Sequence, residues 1–221
     1  MTSRDLSKRI ITSIPLIFLL ILSFYYFYIL IITLIIVTSI SWIEFNRLIS
    51  KIFKINLKII FINLLSLIYL IIFSFFVTFG IHQENFKLNM IYLFLTCIFS
   101  DVGGLIFGKI FKGKKLTKIS PNKTISGSIG SFLMSLLLVP LFYFVFNEKF
   151  LNLFDLIIIS VFTSFFCQLG DLFISFLKRK AKVKDTGKIL PGHGGLLDRI
   201  DGMLLAIPIG VMIWKFLIKL V

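Results

Sequence analysis

The sequence predicts an all-α, polytopic integral membrane protein, and three observations predict it. Of 221 residues, 58% are hydrophobic and 27 are Phe. The mean hydropathy of +1.02 lies far above that of soluble domains, in which about half the residues are apolar. The apolar residues are also gathered into runs of about 20, the length that crosses a hydrocarbon core as a helix.

Taken in order, the first run, Ile10 to Ile43, carries no charge and is too long for one helix. Split near Ser23, it makes a hairpin of two spans. Arg4, Lys8 and Arg9 ahead of it have the charge pattern of a signal sequence, but no small-residue cleavage site follows, so the segment is expected to stay as the first span. The later runs are Ile59 to Ile81, Met90 to Phe107, Ile125 to Phe146, Phe154 to Leu177 and Met203 to Leu217. This gives about seven spans, or eight if the third run divides differently. Residues 1–82 are read as N-terminal transmembrane helices, and 83–221 as the transmembrane region that carries the chemistry.

The positive-inside rule tests the count. With the N-terminus inside, all 24 Lys and Arg residues except Lys87, Lys149, Lys215 and Lys219 fall on one side. The net charge of +14 would point to nucleic acid in a soluble protein. Here it sits between apolar runs, where it sets topology and attracts anionic lipids or phosphates, so no nucleic-acid partner is expected. Cys97 and Cys167 lie inside apolar segments and read as packing residues rather than a disulfide.

Two basic loops then emerge on the same side, 109–124 and 178–202, each preceded by an aspartate within its span. Asp101 lies eight residues before Lys109 and Asp171 seven before Lys178. At about 1.5 Å per residue, both sit roughly 10 to 12 Å below the surface. An ionisable side chain at that depth is a functional candidate, although each aspartate has a plainer reading as the ion-pair partner of a loop lysine. The nearby Gly103, Gly104, Gly108 and Gly170 permit either close helix packing or room for a ligand.

In the first loop, Ser120-Pro121-Asn122-Lys123-Thr124 is a compact turn just ahead of a span. Its hydroxyls and N–H groups suit a phosphate, with a simple helix cap as the competing reading. The second loop is denser. Lys178, Arg179, Lys180, Lys182, Lys184, Lys188 and Arg199 surround Asp185, Asp198 and Asp201, with Pro191-Gly192-His193-Gly194-Gly195 threaded between them. The glycines allow positive φ and close backbone approach, and such turns present N–H groups to anions. Asp198 and Asp201, three apart, share a helix face as carboxylates flanking a divalent cation must. His193 and His82 lie on opposite sides, so a histidine zinc site is excluded, and His193 reads as a phosphate or structural contact. Together these groups are what a polyphosphate with Mg²⁺ requires.

The pattern Ser175-x-x-Lys178-Arg179-x-x-x-x-Lys184-Asp185-x-Gly187-x-x-Leu190-Pro191-x-His193-Gly194-Gly195-Leu196-x-Asp198-Arg199-Ile200-Asp201 resembles, at each specified position, the signature of the phosphatidate cytidylyltransferases, the CDP-diacylglycerol synthases. The similarity extends to Gly170-Asp171-Leu172, Asp101 and Ser120-Pro121-x-Lys123-Thr124, and thins over the first three spans. Ile125-Ser126-Gly127 stands where members often carry Trp-Glu-Gly, and Ile174 where an acid often precedes the serine.

The resemblance implies Mg²⁺-dependent transfer of the cytidylyl group of CTP to phosphatidate, giving CDP-diacylglycerol and pyrophosphate in phospholipid biosynthesis. It implies a metal centre at Asp171 and Asp198, with a second cation admitted. Lys184, Asp185, Arg199 and Asp201 join these two as catalytic residues. Ser120, Lys123, Thr124, Lys178, Arg179, His193, Gly194 and Gly195 are the expected substrate-binding residues. The expected partners are CTP, phosphatidate and membrane lipids, with a homodimer admitted. The expected place is a bacterial-type cytoplasmic membrane, with the N-terminus and site loops inside. The alternatives are a polyprenol kinase, an ether-lipid cytidylyltransferase and, from another class, a transporter. Clustering of the polar residues near one side rather than at the midplane weighs against the last.

Overall fold

A computed structural model describes residues 3–54, 56–117, 120, 123–146, 152–189 and 194–220, with backbone alone for 3–13, 85, 219 and 220. The described residues form eight α-helices: α1 (Ser3–Tyr25), α2 (Phe27–Ile52), α3 (Asn56–His82), α4 (Glu84–Phe111), α5 (Ile125–Leu136), α6 (Leu138–Val145), α7 (Leu153–Lys180) and α8 (Leu197–Leu220). In place of strands there is an isolated bridge between Lys115 and Thr124. Six helical segments are long and apolar enough to cross a membrane, and Ile14–Tyr25 is a shorter apolar helix. The all-α, multi-pass membrane class expected from hydropathy is therefore found.

The helices run past the expected spans at several ends, α2 to Ile52 and α4 to Phe111 among them, and three further differences bear on the fold. The first hairpin breaks at Tyr26, whose backbone is extended, rather than near Ser23. The expected span Ile125 to Phe146 is interrupted at Leu137. Pro140 lies one turn further on, and its missing N–H leaves the Leu136 carbonyl without its helical donor while its ring crowds that carbonyl. Helix α7 runs on to Lys180 and α8 starts at Leu197. Lys178, Arg179, Asp198 and Asp201 are therefore helical residues, and the loop between them is 181–196.

Contacts divide the chain into two units, Met1–Thr78 with Leu177–Ile200 and Phe79–Phe176 with Asp201–Val221. Within the first, α2 and α3 are joined by polar bonds. Asn63 Nδ2 donates to Asn46 Oδ1 at 2.7 Å, Trp42 Nε1 donates to the Asn63 carbonyl at 3.1 Å, and the Thr38 and Ser74 hydroxyls lie 2.8 Å apart. In lipid, where apolar burial does not drive helices together, such bonds and close packing do.

Within the second unit, α4 packs tightly on α5. A Cβ on Gly104 would come 2.8 Å from Ser131 Oγ, and one on Gly127 would come 2.8 Å from the Gly104 carbonyl. These glycines serve helix packing, one of the two uses the sequence leaves open. Tyr92 is fully buried against Trp214 and Phe142, with ring centroids 5.6 and 4.9 Å apart in edge-to-face contact. Its hydroxyl meets Ser160 Oγ and the Leu156 carbonyl on α7. Each such aromatic pair adds about 0.5–1.5 kcal/mol beyond its area. Cys97 and Cys167 are free and buried, with Cys167 Sγ 3.6 Å from Asp101 Oδ1.

Candidate functional site

Two clusters hold the polar residues, one in each unit. In the first unit the centre is Asp198, in the first turn of α8. Its Oδ1 accepts from Lys178 Nζ at 2.6 Å, an ion pair between side chains 15% and 8% exposed. Its Oδ2 accepts from Thr186 N at 2.8 Å, Thr186 Oγ1 at 3.0 Å and Gly195 N at 3.2 Å. One carboxylate thus ties the end of α7, the loop and the start of α8 together. The carboxylate also sits at a helix N-terminus, where the macrodipole favours negative charge.

The loop has a second anchor, which sequence reasoning missed. Glu44 on α2 is 0% exposed. Its Oε1 accepts from Leu196 N at 3.1 Å, and its Oε2 from Leu197 N at 2.9 Å and Thr186 Oγ1 at 2.8 Å. Glu44 therefore satisfies donors that the start of α8 leaves open, reaching across 142 residues of sequence to Thr186. The Thr186 hydroxyl has one proton and lies between two carboxylates, so it donates to one of them at a time. The available signal was a lone acid directly after a long uncharged run. Glu44 is the residue immediately after that run, which stops at Ile43.

Two glycine positions follow from this packing. Gly194 has φ +86, in the left-handed region that favours glycine. A Cβ on Gly195 would overlap Thr186 Oγ1 and lie 2.6 Å from Glu44 Oε2. The close approach expected of these glycines toward a ligand is, at Gly195, an approach to Glu44.

In the second unit, Lys123 Nζ and Asp171 Oδ2 lie 2.5 Å apart, and Asp171 Oδ1 is 3.5 Å from Ser175 Oγ. Lys123 is placed by a turn, in which Lys123 N donates to the Ser120 carbonyl at 3.1 Å and Leu116 N to the Lys123 carbonyl at 2.8 Å. Ser120 is buried. Thr124 is the N-cap of α5, its hydroxyl accepting from Gly127 N at 3.1 Å, so the cap is realised at Thr124. Asp201 Oδ1 accepts from Gly202 N at 3.0 Å.

Arg179, Lys184, Asp185 and Arg199 are exposed. His193, with Leu190, Pro191 and Gly192, lies outside the described residues.

Whether these groups suit Mg²⁺ is decided by donor chemistry. Carboxylate oxygens are the ligands a hard cation takes. Asp171 Oδ1 has only the long contact to Ser175, and Asp198 Oδ1 accepts one bond, so each aspartate keeps a lone pair. Among the described residues no three His, Cys, Asp or Glu side chains converge on one point. Further ligands would have to be phosphate oxygens or water, as is usual for Mg²⁺. On that basis the residues fit.

Helices long and apolar enough to cross a membrane, aspartates paired with lysines and a basic loop anchored by Glu44 and Asp198 define a polytopic membrane protein with two charged clusters. Residues 1–217 match the family model described as the Cytidylyltransferase family. The chain belongs to that family. It is 46% identical over 123 residues to a phosphatidate cytidylyltransferase of Staphylococcus haemolyticus (strain JCSC1435), a match covering 54% of this chain and 46% of that protein. It is 45% identical over 121 residues to the protein of that name from Staphylococcus aureus (strain COL), and 44% over 121 residues to that from Staphylococcus saprophyticus. The matched region spans 54% of this chain and 46% of each of these relatives as well.

Proposed function

We propose that the protein transfers the cytidylyl group of CTP to phosphatidate, forming CDP-diacylglycerol and pyrophosphate. The observation that carries this reading is the identity of 46% over 123 residues with a phosphatidate cytidylyltransferase, in a chain whose Asp171 and Asp198 are paired with lysines.

A phosphatidate oxygen would attack the α-phosphorus of CTP, forming one P–O bond as the bond to the bridging oxygen of the pyrophosphate breaks. The lipid phosphate is already a nucleophile, so the protein's contribution is positioning and charge neutralisation. Lys178, Arg179, Lys184 and Arg199 would neutralise the triphosphate and the departing pyrophosphate. The Gly194 and Gly195 backbone and His193 would border it, and Ser120, Lys123 and Thr124 would hold the other phosphate. Asp185 and Asp201 would orient these cations or complete the metal shell. Asp171 and Asp198 would hold Mg²⁺, which when bound supplies charge neutralisation at the α-phosphate. Lys123 and Lys178, now on those carboxylates, would serve substrate phosphates as well.

The setting would be a bacterial cytoplasmic membrane with the site loops inside, and a homodimer is the assembly to test by crosslinking. The decisive assay incubates membranes with labelled CTP, phosphatidate and Mg²⁺ and looks for labelled CDP-diacylglycerol. Phosphorylated diacylglycerol or polyprenol in its place would refute the transfer reaction in favour of a CTP-dependent kinase.

A further inference from the structure

The loop that Glu44 and Asp198 pin down forms one wall of a cavity of about 600 Å³, and the last turns of α2 form the other. That volume lies within the range of small-ligand sites, about 300–1,000 Å³. Its lining is unusual in charge. Arg47 and Lys51 reach it from α2, Lys184 and Lys188 from the loop, and Asp185 is its one carboxylate. Among the described residues none of the four cations forms an ion pair. Cations converging on a common space repel one another, and an anion in that space relieves the repulsion.

The plainer reading of Arg47 and Lys51 is that cations favour the C-terminal end of a helix. It does not account for Lys184 and Lys188, which lie on no helix. The four cations are exposed, but the two walls that carry them are fixed to each other. Glu44, Arg47 and Lys51 follow the i, i+3, i+7 spacing of one helix face. The buried bond from Thr186 to Glu44, with Thr186 6% and Glu44 0% exposed, therefore sets that face of α2 against the loop.

We propose that this cavity is a phosphate-binding pocket, in which Arg47 and Lys51 of α2 act with Lys184 and Lys188 on a polyanionic phosphate group. A guanidinium fork and three ammonium groups match phosphate oxygens in geometry and charge. For the ligand's identity the inference rests on the cytidylyl-transfer reading, which supplies two sources of the same chemistry, the triphosphate of a nucleotide and the phosphomonoester head of a lipid. It adds α2 to a site that the signature alone confines to the C-terminal part of the chain.

The test compares Arg47→Gln/Lys51→Gln with Lys54→Gln/Lys58→Gln, which removes the same charge just beyond α2 and outside the cavity lining. Steady-state kinetics are measured with CTP varied at saturating phosphatidate, and the reverse. The pocket variant is expected to raise one KM at least tenfold, with less effect on kcat, while the control stays within twofold. A rise in KM for CTP assigns the nucleotide phosphates, and a rise in KM for phosphatidate assigns the lipid head. Arg47→Lys should restore part of the loss.

If the wild type shows no turnover, the transfer reading fails, and the pocket is judged by binding alone. The probes are then inorganic tripolyphosphate in detergent and nanodiscs with or without phosphatidate, and the pocket variant should weaken binding of one probe at least tenfold. Unchanged KM values and unchanged binding, or equal effects from the control, would overturn the proposal.

Discussion

Replacing Glu44 by alanine tests whether a fully buried carboxylate on α2 holds the loop in place. The substitution leaves the Leu196 and Leu197 N–H groups without their acceptor and Thr186 with Asp198 alone. Each buried donor left unpaired costs about 1–3 kcal/mol, so the two amides cost about 2–6 kcal/mol. Part is offset because a desolvated carboxylate is removed as well. A net loss of about 2–3 kcal/mol is expected, falling on the loop, which corresponds to about 30- to 150-fold more frequent opening. Glutamine keeps one oxygen but turns an NH₂ toward an N–H or a hydroxyl. It should lie between alanine and the wild type, at about 1–2 kcal/mol. Hydrogen–deuterium exchange of the Leu196 and Leu197 amides in nanodiscs reads the opening directly, and the rate of CDP-diacylglycerol formation on the same samples reads its consequence. Alanine exchanging within twofold of the wild type at both amides would refute the reasoning, whatever the activity did.

Three further substitutions probe the other contacts. Gly195→Ala drives a methyl into Thr186 Oγ1 and against Glu44 Oε2, and limited proteolysis between 181 and 196 should accelerate at least tenfold while the rest of the chain stays intact. Asp198→Asn removes the charge that holds Lys178, and turnover in membranes carrying correctly inserted protein should fall at least 100-fold; near wild-type turnover would remove Asp198 from the metal site. Gly127→Val forces α4 and α5 apart at the Gly104 carbonyl, an overpacking of about 1–3 kcal/mol that should lower the thermal unfolding midpoint in detergent.

The legibility of the chain follows the range of the interactions. Spans were readable because hydropathy is a property of each residue and its neighbours, and α3, α4, α7 and α8 each contain the expected run. The helices depart from the hydropathy pattern where one residue changes local geometry, as Pro140 does at Leu137, or where a helix continues past its apolar part, as α7 does to Lys180. Lys123 with Asp171 shows the middle case. An intramembrane acid near a basic turn implied a lysine partner, while only the fold selected which lysine.

What the sequence by itself determined is the membrane class and the family signature, since both reside in runs of adjacent residues. The tertiary structure alone decided that Glu44 belongs with Thr186, Leu196 and Leu197, and that Arg47 and Lys51 face Lys184 and Lys188. Those partners lie more than a hundred residues apart, and their meeting depends on how α2 and the loop pack, a relation that no local pattern encodes.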